Sequence, residues 1–168
     1  MKIEFDVKMT TAKMYDYMLY HTFRSFSGIM GEVVGIMLIA CYFATQTWLY
    51  LVGGIIVVLY LPVALFMNSK KQVTLNPVFK EPLHYTLDEG GITVTACIKD
   101  EEGNPATDSQ KWEDLYKACS SSKSIIVYTN KMNACIFPKA DLGNKLQDVI
   151  QMISTHMDPK RVKIRTMS

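Results

Sequence analysis

SGIMGEVVGIMLIACYFA (Ser27–Ala44), TQT (Thr45–Thr47) and WLYLVGGIIVVLYLPVALFM (Trp48–Met67) follow one another without interruption, and their reading decides the fold. Between Arg24 and Lys70 no basic residue occurs, and Glu32 is the only charge. A helix in water needs a polar face, and neither apolar run has one. At about 1.5 Å per residue, about 20 residues cover a hydrocarbon core of roughly 30 Å. Two spans are therefore predicted, joined by a turn too short for anything but direct reversal. Trp48 and Tyr50 at one end and Phe23 and Phe26 at the other suit interfacial aromatic belts.

Working outward, the basic residues set the orientation. The turn carries none, whereas Lys8, Lys13, Arg24, Lys70 and Lys71 flank the opposite ends. The positive-inside rule places those ends, and both termini, in the cytoplasm. Lys70 and Lys71 are placed at anionic lipid headgroups. The first residues, Met1 to Lys8, alternate charged and apolar side chains, unlike a cleavable signal peptide, so the first span is expected to act as its own insertion signal. Of the four cysteines, Cys41, Cys97, Cys119 and Cys135, none forms a C-x-x-C pair. In a reducing compartment they read as small buried hydrophobes.

Three features lie inside the hairpin. Gly31-x-x-x-Gly35 allows close approach of helix backbones, either within the chain against Gly53-Gly54 or Ala64, or across a homodimer face. Glu32 is the one ionisable group in either span, which suggests an ion or proton path; near the cytoplasmic end it also has the option of snorkelling or of meeting Lys70 or Lys71. Pro62 lacks an N–H and is expected to kink the second span.

The polar ends read as a small α+β domain. Ile3, Phe5 and Val7 alternate with Glu4 and Asp6, the pattern of a half-buried strand. Thr10 or Thr11 caps a helix running toward Phe26, whose stripe of Tyr15, Met18, Leu19, Thr22 and Phe26 suits the membrane surface. Residues 68–82 read as a linker with two prolines. Strands follow at Leu83–Leu87 and Ile92–Ile98 across Asp88-Glu89-Gly90-Gly91, then a polar loop from Lys99 to Gln110. Ser124–Tyr128 pairs with Ala134–Phe137, Leu142–His156 is an amphipathic helix, and Arg161–Arg165 is a last strand. An antiparallel sheet closed by one helix results. The first strand, on the same side of the membrane, is expected to join it and bury Phe5.

Trp112-Glu113-Asp114-Leu115, Ser124-Ile125-Ile126-Val127-Tyr128 and Ile136-Phe137-Pro138-Lys139, placed after a strand, a helix and two spans, resemble the bacterial YcxB-like membrane protein family. The resemblance covers nearly the whole chain. Where the family's last motif continues with Arg, Ala140 stands here. The resemblance implies a pleckstrin-homology-like C-terminal domain, a bent antiparallel barrel capped by a helix, in a bacterial inner-membrane protein. It implies no activity, and fold alone transfers none. Phe5, Trp112, Tyr128, Pro138 and Lys139 are the expected domain anchors.

Catalytic and metal-binding patterns are missing from the sequence. His21, His84 and His156 are scattered. Asp100-Glu101-Glu102-Gly103-Asn104 has Pro105 where a calcium loop starting at Asp100 needs glycine, so it reads as a solvated hairpin tip. Ser120 to Ser124, with Lys123, lacks the glycine elbow of a nucleophile. Basic residues of the polar part alternate with acidic ones, which gives no nucleic-acid stripe. Four segments are expected: 1–26, a strand and interfacial helix; 27–67, the transmembrane hairpin; 68–82, a linker; and 83–168, the cytoplasmic domain. The expected role is a non-enzymatic, membrane-tethered binding or scaffolding module in the cytoplasmic membrane. Its expected partners are lipids and a protein or second copy, with no cofactor and no small-molecule substrate identified. The alternative is an accessory subunit of a transporter or channel.

Overall fold

The computed structural model describes residues 2–99 and 105–164. The expected hairpin tip Asp100 to Asn104, and Arg165 of the expected last strand, lie outside the described residues. The two apolar runs form helices α2 (Phe26–Thr45) and α3 (Trp48–Leu75), which pack on each other as a hairpin. Gln46 makes the reversal in the left-handed region, φ 54°, with its N–H donating to Tyr42 O at 2.8 Å. Both helices are long and apolar enough to cross a membrane, and only 11% and 6% of their apolar windows are buried.

α3 is longer than expected. The stretch 68–75, assigned to a linker, continues the helix because it holds no glycine or proline and carries two lysines and a glutamine, good helix formers. Asn76 ends it: a residue before proline disfavours the helical region, and its side chain accepts from Val78 N at 3.0 Å. Pro62 sits inside α3 without interrupting it, leaving Val58 O without its helical donor.

The polar part has two four-stranded sheets rather than one. The first runs β1 (Ile3–Val7), β2 (Leu83–Leu87), β3 (Gly91–Lys99), β4 (Pro105–Lys111), all antiparallel. The second has the order β7 (Ala134–Pro138), β6 (Ser124–Tyr128), β5 (Lys117–Ser120), β8 (Val162–Lys163), and β8 pairs parallel to β5. The sequence predicts a loop where β4 lies: Thr and Ser side chains on an exposed edge hide the strand, and Thr93–Ser109 and Thr95–Thr107 contacts join it to β3. β5 was also missed, being only four residues long.

β1 lies before the hairpin, yet it pairs with β2 beyond it, Phe5 opposite Tyr85. Ile3, Phe5 and Val7 are buried while Glu4 and Asp6 are exposed, as the alternation anticipates. Phe5, Tyr85 and Phe137 form a three-ring cluster with centroid separations of 5.0–5.7 Å, which joins the two sheets in one core. Lys145 Nζ donates to Glu4 O at 2.6 Å on β1.

The C-terminal helix is divided. A turn, α4 (Lys139–Leu142), is separated from α5 (Leu146–His156) by Gly143 at φ 50°, a conformation glycine tolerates. Val149, Met152 and Ile153 of α5 are buried in the core.

α1 (Thr11–Thr22) begins at Thr10, whose side chain accepts from Lys13 N. Its expected membrane-surface stripe is corrected. Met14, Tyr17 and Met18 pack on the domain core, while Tyr15 meets Phe66 of α3 edge-on at 5.6 Å. Apolar side chains on two faces sandwich α1 between the domain and α3. Ser25 caps α2, so Phe26 belongs to the next helix. The cysteines are corrected too: Cys119 is buried and Cys135 partly so, but Cys41 and Cys97 are exposed, and all four are free.

Candidate functional site

The residues singled out in the hairpin divide into two groups. Gly35 and Gly54 form its seam: a Cβ on Gly35 would lie 2.7 Å from Val58 Cγ2, and one on Gly54 would lie 2.8 Å from Gly35 O. Gly31 and Gly53 have nothing within 4 Å of such a Cβ. Only one glycine of each pair therefore makes the internal contact. Glu32 is half-buried on the same helical face as Gly28 and Gly35. Gly35 packs against Val58 and Gly54 against Ile39, and continuing that antiparallel register brings Glu32 level with Leu61 and Pro62. The expected pairing of Glu32 with Lys70 or Lys71 is absent: among the described residues no cation pairs with it. Lys70 and Lys71 are exposed on the extension of α3, Lys70 beside Tyr15 and Asp16 of α1 and Lys71 beside Met18.

The expected anchors are dispersed through the domain. Trp112 is buried, donates from Nε1 to Asp88 O at 2.8 Å and stacks on His156. Pro138 ends β7. Lys139 donates from Nζ to Ser121 O at 2.9 Å and Ser122 O at 3.3 Å, clasping the turn between β5 and β6. Tyr128 is buried at the end of β6, its hydroxyl 3.2 Å from His21 Nδ1. Burial pushes that hydroxyl well above its usual pKa, so it stays a neutral hydrogen-bonding group. His84 contacts Asp6 at 2.7 Å across β1 and β2. Among the described residues no three His, Cys, Asp or Glu side chains gather into a metal set.

Around Tyr128 the fold assembles what the sequence leaves scattered. A groove of about 810 Å³ runs from the end of α1 across the start of β5 to β8. Among the described residues its walls carry Arg24, Lys117, Lys131, Lys160, Arg161 and Lys163, against the single acid Asp114. Each cation is exposed, and among the described residues no carboxylate lies within ion-pair distance of any of them. Neutral groups position three of them instead. Lys117 Nζ sits 4.5 Å over the Tyr128 ring and 5.7 Å over that of Tyr116. Arg24 donates to Tyr20 Oη at 3.0 Å, and Arg161 donates to Leu115 O at 3.2 Å. Ser25, also in the wall, is the N-cap of α2, so the groove lies at the foot of the hairpin.

Linear reading misses this site because the six cations come from four separate stretches of the chain, around Arg24, Lys117, Lys131 and Lys160–Lys163. The nearest sequence signal is Lys160-Arg161-Val162-Lys163, three cations in four residues. Comparison of the chain with protein-family models, curated proteins and solved structures gives no match. The geometry alone therefore defines the class: an apolar helical hairpin fastened to a two-sheet α+β domain.

Proposed function

We propose that the chain is a non-enzymatic membrane-tethered binding or scaffolding module, held in the cytoplasmic membrane by two spans and presenting a pleckstrin-homology-like domain to the cytoplasm. One observation carries this reading: the apolar side chains of α2 and α3 point outward with nothing over them, whereas the domain encloses its own core. Exposing that much apolar surface to water costs about 25 cal/mol per Å², and a bilayer removes the cost. The pairing of β1 with β2 supports a common side for both polar ends, and the uncharged turn against basic flanks supports the cytoplasmic side. Two antiparallel-rich sheets with a C-terminal helix support the pleckstrin-homology-like reading and the resemblance to the YcxB-like family. The parallel β5–β8 pair departs from an all-antiparallel barrel.

The test combines extraction and labelling. The full chain should stay with membranes through an alkaline carbonate wash. With the native cysteines removed, Gln46→Cys should react with an impermeant thiol reagent from outside, and Lys2→Cys should not. Release by carbonate sinks the tether, and inverted labelling sinks the orientation.

The unpaired Glu32 on the hairpin seam favours a second reading, an accessory subunit of a transporter or channel. Two spans enclose no pathway, so this reading requires an oligomer. Glu32→Gln abolishing solute or ion flux in cells supports it; unchanged flux returns Glu32 to a structural role.

A further inference from the structure

We propose that the cationic groove at the foot of α2 binds the phosphate of an anionic lipid headgroup. The proposal deepens the membrane-tethered reading and rests on it. The whole chain holds 18 Lys and Arg against 16 Asp and Glu, close to parity. The groove holds six cations against one acid, so the fold has sorted charge into one place. Cations spread over a protein surface to keep it soluble are interspersed with acids. These six are not, and their positive potential is left for a ligand to neutralise.

Three of the cations, Arg24, Lys117 and Arg161, are held in position without being neutralised. Tyr128 and Tyr116 present ring faces to Lys117, and Tyr20 presents both ring and hydroxyl to Arg24. Arg161 uses one guanidinium nitrogen on main-chain carbonyls of Leu115 and Glu113, which leaves its remaining N–H groups free for a fork onto phosphate oxygens. Such fixation lowers the ordering cost of binding.

Position selects the source of the phosphate. Arg24 and Ser25 immediately precede the first apolar residues of α2, and the exposed Phe23 and Phe26 flank them. A span starting there places the groove wall at headgroup depth. The positive end of the α2 macrodipole adds to the attraction. A volume of about 810 Å³ exceeds what a lone phosphate ion fills and suits a headgroup, with the tyrosine rings against its carbon skeleton.

The experiment uses the full chain purified in a neutral maltoside detergent. Native mass spectrometry reads retention of phosphatidylglycerol and of phosphatidylcholine with matched acyl chains, and glycerol 3-phosphate supplies the soluble arm. Phosphatidylglycerol should be retained about tenfold over phosphatidylcholine, and the double variant Lys131→Gln/Lys160→Gln should remove that preference. These two side chains make no hydrogen bond among the described residues, so the fold is left in place; Lys117→Gln serves as a second variant. Lys111→Gln, outside the groove, should change nothing.

Equal retention of the two lipids overturns the proposal, as does equal loss in the Lys111→Gln control. Glycerol 3-phosphate binding with the same variant sensitivity, without any lipid preference, upholds the phosphate site and overturns its lipid source. Carbonate extraction separates the two readings. A chain that washes off membranes fails as a tether, whereas one that stays and shows no phosphate preference fails only here.

Discussion

Lys13 and Asp141 stand 128 positions apart in the chain and form a two-pronged ion pair, Lys13 Nζ lying 2.6 Å from Asp141 Oδ2 and 2.9 Å from Oδ1. The same ammonium donates to Lys8 O at 2.9 Å. Three acceptor oxygens thus meet one nitrogen, tying the segment after β1, helix α1 and the turn α4 together. Farther along α1, Asp16 accepts from the Ser121 hydroxyl at 2.7 Å, and His21 meets Tyr128. The polar side of α1 is in this way a row of fasteners to the domain.

The first prediction concerns that pair. Its side chains are 23% and 21% exposed, so the attraction is only partly screened by water. In a double-mutant cycle on the full chain, Lys13→Met and Asp141→Asn should couple by about 0.5–3 kcal/mol. Denaturant unfolding followed by tryptophan fluorescence of Trp112 measures it. Additive single effects would mean that the contact carries no energy.

Phe5→Ala removes one ring of the Phe5–Tyr85–Phe137 cluster and leaves a cavity where the two sheets meet. It should cost about 3–5 kcal/mol. The exposed neighbour Glu4→Ala should cost far less, because that side chain lies at the surface, paired with Lys2. Limited proteolysis of the purified chain distinguishes them: faster cleavage within β2 is expected for Phe5→Ala alone. Comparable protection in both variants would show that β1 is dispensable.

The hairpin and β1 were legible because their signals are local: an uncharged run of spanning length, and a strict alternation over five residues. β4 was not, since an edge strand with both faces wet carries no alternation to detect. The extension of α3 was missed for a related reason. Charge marks where an apolar run ends, but it does not end a helix, and Asn76-Pro77 is the stop that does. For α1, the stripe of Tyr15, Met18, Leu19, Thr22 and Phe26 predicts a helix at the membrane surface. Packing on α3 and packing on a bilayer demand the same apolar side chains, so periodicity alone does not separate them. The cationic groove lay beyond linear reading altogether, because it depends on β8 returning beside β5.

Alkaline pH should unfold the domain. Burial pushes the Cys135 thiol up to about 12 from 9.0, and burial also raises the Tyr85 hydroxyl. Both groups are neutral in the folded chain and ionise more readily once unfolded. Their contribution is therefore fully present below pH 9 and is lost progressively as pH rises toward 12. Tyr85→Phe with Cys135→Ala should flatten that decline when stability is measured by denaturant titration between pH 8 and pH 11. A decline identical to that of the parent chain would assign alkaline unfolding to other groups.

The glycines of the hairpin supply the last prediction, because the two pairs respond differently to the same change. A Cβ on Gly54 would come within 2.6 Å of Ile39 Cγ1, 2.8 Å of Gly35 O and 2.9 Å of Ile39 N. The side chain of Ile39 has room to turn, but the backbone of α2 does not, so Gly54→Ala must push the helices apart. At Gly35 the nearest atoms include Val58 N at 3.2 Å, again backbone. Without a hydrophobic force between helices in lipid, close packing is what holds them, and separation forfeits it. Gly54→Ala and Gly35→Ala should each lower the melting temperature of the detergent-solubilised chain. At Gly31 and Gly53 the added atom meets open space, so Gly31→Ile and Gly53→Ile should leave the monomer's melting temperature unchanged. Those two positions are then a clean probe of association. If a second copy packs on that outer face, Gly31→Ile should reduce crosslinked dimer in membranes while the monomer stays intact. Destabilisation of the monomer by Gly31→Ile, or tolerance of Gly54→Ala, would show that the seam is not where the geometry puts it.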